Sequence, residues 1–175
     1  MKSFRLLPFF VFFGVSSAAY AADLAEIRDL PNAVLLEDGL VGGGAPGEGT
    51  LEDAAARGIR SVIDLRTPAE GTLEEETRVT DLGMSYFNIP VTPDSLGMDP
   101  ALRLGRILED PENRPALMHC SSGNRVGALW ALYVYGSREV NSEEALQEGE
   151  RAGMNKPELR LRVQSLLEPE AETGR

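Results

Sequence analysis

The chain has 175 residues, a formal net charge of −11, 42% apolar residues and 26% charged residues. That balance fits one ordinary globular domain and does not point to a repeat or a disordered protein. The excess of carboxylates repels nucleic acid and anionic lipid, and it disfavours a polyanionic substrate unless a local basic site overrides it.

Residues 1–21 read as a secretory signal peptide. Lys2 and Arg5 form a basic start, an apolar run follows over 6–15, and Ala19-Tyr20-Ala21 offers small residues for cleavage after Ala21. The run is shorter than the roughly 20 residues a spanning helix needs. A periplasmic or secreted location is expected, with no membrane association once the signal is gone. Cleavage removes Lys2 and Arg5 and no carboxylate, which lowers the net charge from −11 to −13. Residues 22–33 then read as a short polar leader to a domain over 34–167, with 168–175 as a disordered tail.

Within that domain, 33–49 predicts two short strands around an Asp38-Gly39 turn. A short helix over 50–58 follows, with Thr50 and Asp53 at capping-box spacing and Gly58 as its stop. Residues 59–66 predict a strand, 69–83 an acidic helix ended by Gly83, and 84–91 a strand running into Pro90 and Pro93. Residues 99–110 predict a helix begun by Asp99-Pro100, 114–119 a buried strand, and 126–136 a central apolar helix carrying Trp130. Helices over 141–153 and 156–167 close the chain. Strands alternating with helices imply a three-layer α/β/α fold around a mainly parallel sheet.

The stretch "ALMHCSSGNRVGALWAL" (116–132) holds both the one cysteine and the one histidine of the chain. It reads as strand, tight turn, helix. Cys120 falls at the carboxyl end of the strand, where open parallel sheets bind ligands. Ser121, Ser122, Gly123 and Asn124 form the turn, and Arg125 opens the helix. The helix amino end and the turn amides make an anion cradle, and the Arg125 fork adds donors for an oxyanion. The same field favours the thiolate form of Cys120, the reactive one. With one cysteine, no internal disulfide can form even in an oxidising compartment. His119 has no second histidine or cysteine pair to complete a metal site, so it reads as a supporting residue. Arg66 reads as paired with Glu70 at the surface or as lining the pocket. No metal or organic cofactor is expected.

This loop resembles that of the protein tyrosine and dual-specificity phosphatases. The resemblance is nearest to the phosphatase-like domain of beta-lactamase-hydrolase-like proteins. It is carried by Gly44-Ala45-Pro46, "SVIDLR" (61–66) with Glu70, "NIPV" (88–91) and Cys120 to Arg125, over roughly residues 34–153. It implies a dual-specificity-phosphatase-like fold and a phosphocysteine mechanism, with Cys120 as nucleophile and Arg125 and the loop amides holding the phosphoryl oxygens. Asp94 on the loop after "NIPV" would be the general acid, with Asp99 as second choice. His119 would hydrogen-bond nearby backbone and help tune the thiolate. The expected substrate is a phosphorylated protein or a small-molecule phosphate ester.

The chain departs from the family pattern in three places. Four residues separate Cys120 from Arg125 where the family has five, Val126 stands where a Ser or Thr usually helps the cysteine leave, and Ala45 replaces a common Gln. The four-residue spacing is instead that of many rhodaneses. It keeps open a sulfurtransferase with a sulfane-sulfur donor, and a silent anion- or partner-binding domain.

Overall fold

The computed structural model describes residue 24 and residues 26–168. The expected signal peptide and residues 169–175 of the expected tail lie outside the described residues. No described helix is long and apolar enough to cross a membrane.

Five short strands form the sheet: β1 (Val34–Glu37), β2 (Leu40–Gly43), β3 (Ser61–Asp64), β4 (Ser85–Asn88) and β5 (Ala116–His119). Their order is β1-β2-β5-β3-β4. The β1–β2 hairpin turns at Asp38-Gly39, where Gly39 has φ +71°, and is the sole antiparallel pair of this sheet. The other three pairings are parallel, so Gly43, His119, Asp64 and Asn88 align as one row along their carboxyl ends. That row positions the site.

Alternation along the strands sends side chains to two faces. Leu40, Ile63, Ala116 and Met118 meet α3 (Met98–Glu109), α4 (Asn124–Ser137), α5 (Ser142–Arg151) and α6 (Pro157–Leu167). Val41, Val62 and Leu117 meet α1 (Thr50–Ala56) and α2 (Thr72–Asp81). The result is the three-layer α/β/α fold expected from the order of elements. Helix α4 carries no charge after Arg125 and is buried along most of its length, with Trp130 fully enclosed; α3, α5 and α6 pack around it.

The approach of α4 to α5 depends on glycine. A Cβ at Gly127 would lie 2.4 Å from the Gly149 carbonyl oxygen and 2.4 Å from the Met154 amide nitrogen. Both are backbone atoms and cannot rotate away. Gly127→Ala is therefore expected to destabilise the fold by about 1–3 kcal/mol or more through overpacking. A denaturant midpoint equal to that of the unsubstituted protein would show that the two helices can separate freely.

Four local expectations are corrected. The leader is not separate from the domain, because Leu24, Ile27 and Leu30 are buried against Val41, Leu51 and Val62. Thr50 does not cap α1. Gly49 is the cap, the Thr50 hydroxyl donates to the Asp29 carbonyl, and Asp53 accepts the Arg28 amide, so the entering chain takes both groups. The acidic helix is shorter than 69–83, since Gly71 (φ +89°) separates a 3-10 turn at Pro68–Glu70 from α2. Helix α4 begins at Asn124, one residue earlier than expected, because Gly123 takes φ +87° as its cap.

Candidate active site

The carboxyl ends of β2, β5 and β3 converge on Cys120. The Cys120 amide donates to the Gly43 carbonyl at 3.3 Å, and the Leu65 amide to the His119 carbonyl at 2.9 Å. Gly44 and Ala45, the first two residues of the predicted Gly-Ala-Pro turn, bridge to Ser122 and Ser121. The loop is thereby pinned on both sides. Gly123 turns the chain so that its amide donates to Cys120 Sγ at 3.1 Å. A side chain at Gly123 would be strained at its positive φ. The thiol itself is 1% exposed and sits beneath the loop.

Arg125 reaches over this floor and makes five contacts with protein acceptors. Its Nη1 donates to the carbonyls of Leu65 (3.3 Å) and Val91 (3.2 Å) and to Glu70 Oε2 (3.0 Å). Its Nη2 donates to Glu70 Oε1 and to Ser121 Oγ, both at 2.7 Å. The Ser121 hydroxyl donates in turn to Glu70 Oε1 at 2.7 Å. Hydrogen bonds from Arg125 hold the Glu70 carboxyl well below the usual carboxylate range, against a smaller desolvation effect, with help from Ser121 and the Thr67 amide. The guanidinium pKa is raised, first by Glu70 and also by Cys120. The guanidinium therefore caps a bowl whose floor is the loop over Cys120 Sγ, and a fork-shaped anion already sits on it; Cys120 itself is buried below the cavity lining.

The bowl opens into a cavity of about 430 Å³. Thr67, Glu70, Val91, Thr92 and Pro93 form one side; Ser121, Ser122, Asn124 and Arg125 the base; Lys156, Glu158, Leu159 and Arg162 of α6 and its cap the other. The volume lies in the range of small-molecule sites. A second cleft, of about 340 Å³, lies between α3 and α4 and is lined by no cysteine.

The predicted site residues divide. Cys120, Ser121, Ser122, Gly123 and Arg125 come together as a loop. Asn124 is 6% exposed, and its side-chain oxygen accepts the amides of Asn155 and Lys156, both at 2.9 Å, so it braces the start of α6. Asp94 is exposed one residue beyond the cavity wall at Pro93, and Asp99 is exposed in the first turn of α3. Val126 is buried among core residues with no hydroxyl to offer.

Arg66 and His119 lie behind the site, on the α2 face of the sheet. Arg66 does not pair with Glu70 at the surface. It forks onto Asp64 (2.8 Å from Oδ2) and reaches Glu75 (2.7 Å), because β3 and α2 bring both carboxylates inside. His119 Nε2 stands 2.6 Å from Glu75 Oε1 and 3.9 Å from Asp64, and Tyr86 donates to Asp64 at 2.9 Å. The ring is fully buried, and neither the ring nitrogens nor Glu75 Oε1 reaches a well-aligned hydrogen bond despite the short approach. Ligand atoms of Asp64, Glu75 and His119 lie within 4.8 Å of one another, a spacing a metal ion could bridge. The Arg66 guanidinium on both carboxylates already supplies the cation there, so the donor set fits a metal poorly.

This network sets an acid limit on stability. Burial alone would raise the Asp64 carboxyl, but Arg66 and His119 outweigh it and hold the group below its ordinary value of 3.8. A depressed carboxylate stabilises the fold above its unfolded pKa and loses that contribution as pH falls through its folded one. The denaturant midpoint is expected to be flat down to about pH 4 and then to drop. A midpoint that holds steady to pH 2 would show that the network contributes nothing.

Sequence reasoning missed Glu70 as the partner of Arg125, Asp64 and Glu75 as the buried pair, and Lys156 and Arg162 in the wall. One signal for Lys156 was present: it is the one lysine beyond Lys2.

The comparisons agree with this geometry. Among solved structures, a DUF442 phosphatase of Shewanella putrefaciens CN-32 is 17% identical over 80% of this chain and 93% of its own, with a TM-score of 0.63. Tk-PTP in its active form is 23% identical over 79% of this chain and 98% of its own, with a TM-score of 0.63. TpbA of P. aeruginosa, solved in complex with pTyr, is 16% identical over 82% and 91%, with a TM-score of 0.62. At these identities the likeness shows the fold. No curated protein sequence matches. A family model described as a DSP-PTPase phosphatase fused to NAD+ kinase matches residues 28–165, from just before the hairpin to the last turns of α6. The expected dual-specificity-phosphatase resemblance is borne out: the chain belongs to this DSP-PTPase phosphatase family.

Proposed function

We propose that the protein is an exported phosphatase that hydrolyses phosphate monoesters through a phosphocysteine. The observation that carries this reading is Cys120 Sγ beneath its own loop, hydrogen-bonded by Gly123, with Arg125 over the same floor. In the first step the Cys120 sulfur forms a bond to phosphorus and the bond to the leaving oxygen breaks. Asp94, exposed and next in sequence after Pro93 of the cavity wall, gives that oxygen its proton. In the second step water attacks phosphorus, its proton returns to Asp94, and the S–P bond breaks to release inorganic phosphate and the thiolate. Arg125 and the loop amides hold the non-bridging oxygens throughout. Export rests on the basic start, the apolar run and Ala19-Tyr20-Ala21.

The test is hydrolysis of a chromogenic aryl phosphate by the purified mature protein, with Cys120→Ser as control. Turnover that vanishes in the variant supports the reading. Absence of turnover, with transfer of sulfur from thiosulfate, would replace it by the rhodanese-type reaction. Fractionation of the source cells tests export: activity confined to the cytoplasm would end that part.

A further inference from the structure

Resting on the phosphatase reading, we infer that α6 and its cap supply a second anion subsite. The substrate is then a small organic phosphate ester carrying another phosphate or carboxylate.

The argument begins with charge. Carboxylates outnumber basic residues 28 to 17, so most cations find a partner. Among the described residues, Arg57, Arg60, Arg66, Arg78, Arg114, Arg125, Arg138, Arg151 and Arg160 all have carboxylate partners. Arg28 and Arg103 bond to carbonyls. Lys156, Arg162 and Arg106 have neither; Lys156 and Arg162 line the active-site cavity, whereas Arg106 lines the cleft between α3 and α4.

Their isolation is built in. Glu158 and Arg162 stand four apart on α6, the spacing at which such pairs form, yet they lie farther than 4.0 Å from each other. The side-chain oxygen of Asn124, from the catalytic loop, accepts the amides of Asn155 and Lys156 and so fixes the backbone at the start of α6. The loop that holds the nucleophile therefore also sets the position of the lysine. At the base, Arg125 is neutralised by Glu70. The net positive charge of the wall thus comes from Lys156 and Arg162, opposed by Glu158. Leu159, Val91 and Pro93 add apolar surface to the cavity for a carbon frame between the two anionic groups. About 430 Å³ admits a small molecule.

The test compares fructose 1,6-bisphosphate with fructose 6-phosphate. Binding is measured by calorimetry on the Cys120→Ser chain, and turnover on the unsubstituted chain. The bisphosphate is expected to bind about tenfold more tightly, in line with charge-assisted contacts. A Lys156→Ala, Arg162→Ala double variant is expected to bring that ratio to within about twofold, and Glu158→Gln to raise it. The ratio is expected to shrink in high salt. Equal affinity for the two sugars, or a preference that survives the double variant, overturns the subsite. A preference in binding with no turnover supports the subsite and removes only the phosphatase reading. Turnover without preference does the reverse.

Discussion

Cys120→Ser is expected to lower aryl-phosphate turnover by at least about 10³-fold. A serine hydroxyl needs a base to take its proton, whereas a thiol loses its own readily. The one histidine cannot act as that base, because its ring faces away from the bowl and lies against Glu75 at 2.6 Å on the far face of the sheet. Glu70, bonded to Ser121 and Arg125 of the same loop, has its carboxyl held well below the usual range by Arg125, which makes it a weak base. The hydroxyl would keep the Gly123 hydrogen bond and the fold, so loss of activity would report chemistry and not collapse. Retained activity would remove Cys120 from the reaction. Mass spectrometry after thiosulfate treatment separates the two cysteine chemistries: a gain of about 32 Da on the unsubstituted protein identifies sulfur transfer.

The second large effect is expected for Arg125→Ala. Removing an oxyanion donor typically costs about 10²–10³ in kcat. Here the loss is compounded, because Arg125 also bonds the carbonyls of Leu65 and Val91 and the carboxylate of Glu70. Those acceptors lose their donor, so stability is expected to fall by about 1–3 kcal/mol as well. Arg125→Lys restores one charge but not the fork, and is expected to recover stability better than kcat. Steady-state kinetics with equilibrium denaturation on both variants makes the check. A kcat/KM for Arg125→Ala within twofold of the unsubstituted value would take the guanidinium out of the reaction.

The fold was legible where local pattern and tertiary placement coincide. Alternating strands and helices gave the layered sheet, and the Cys-to-Arg turn was legible because strand, glycine and apolar helix follow one another directly. Val91, at the end of "NIPV", duly contributes to the cavity wall and an acceptor for Arg125. The misplaced pairings were those decided by distance across the fold. Arg66 and Glu70 are near in sequence, yet Asp64 and Glu75 take Arg66, while the 3-10 turn at Pro68–Glu70 carries Glu70 to Arg125. Thr50 and Asp53 have the spacing of a cap, but the incoming segment competes for both. The supposed leader is polar on average, and its sparse Leu24, Ile27 and Leu30 all face one way into the core. Nothing in a linear reading showed that Asn124 would tie the loop to α6.

The Glu70 fork on Arg125 changes how the bowl meets its ligands. An arriving anion does not add to a bare cation; it exchanges with a tethered one that never diffuses away. A monatomic ion such as chloride cannot match two parallel bonds and is a poor competitor, while an oxyanion that presents two oxygens can. The tethered carboxylate thus acts as a resident competitor, filtering the many anions of the surroundings before any reaches the sulfur.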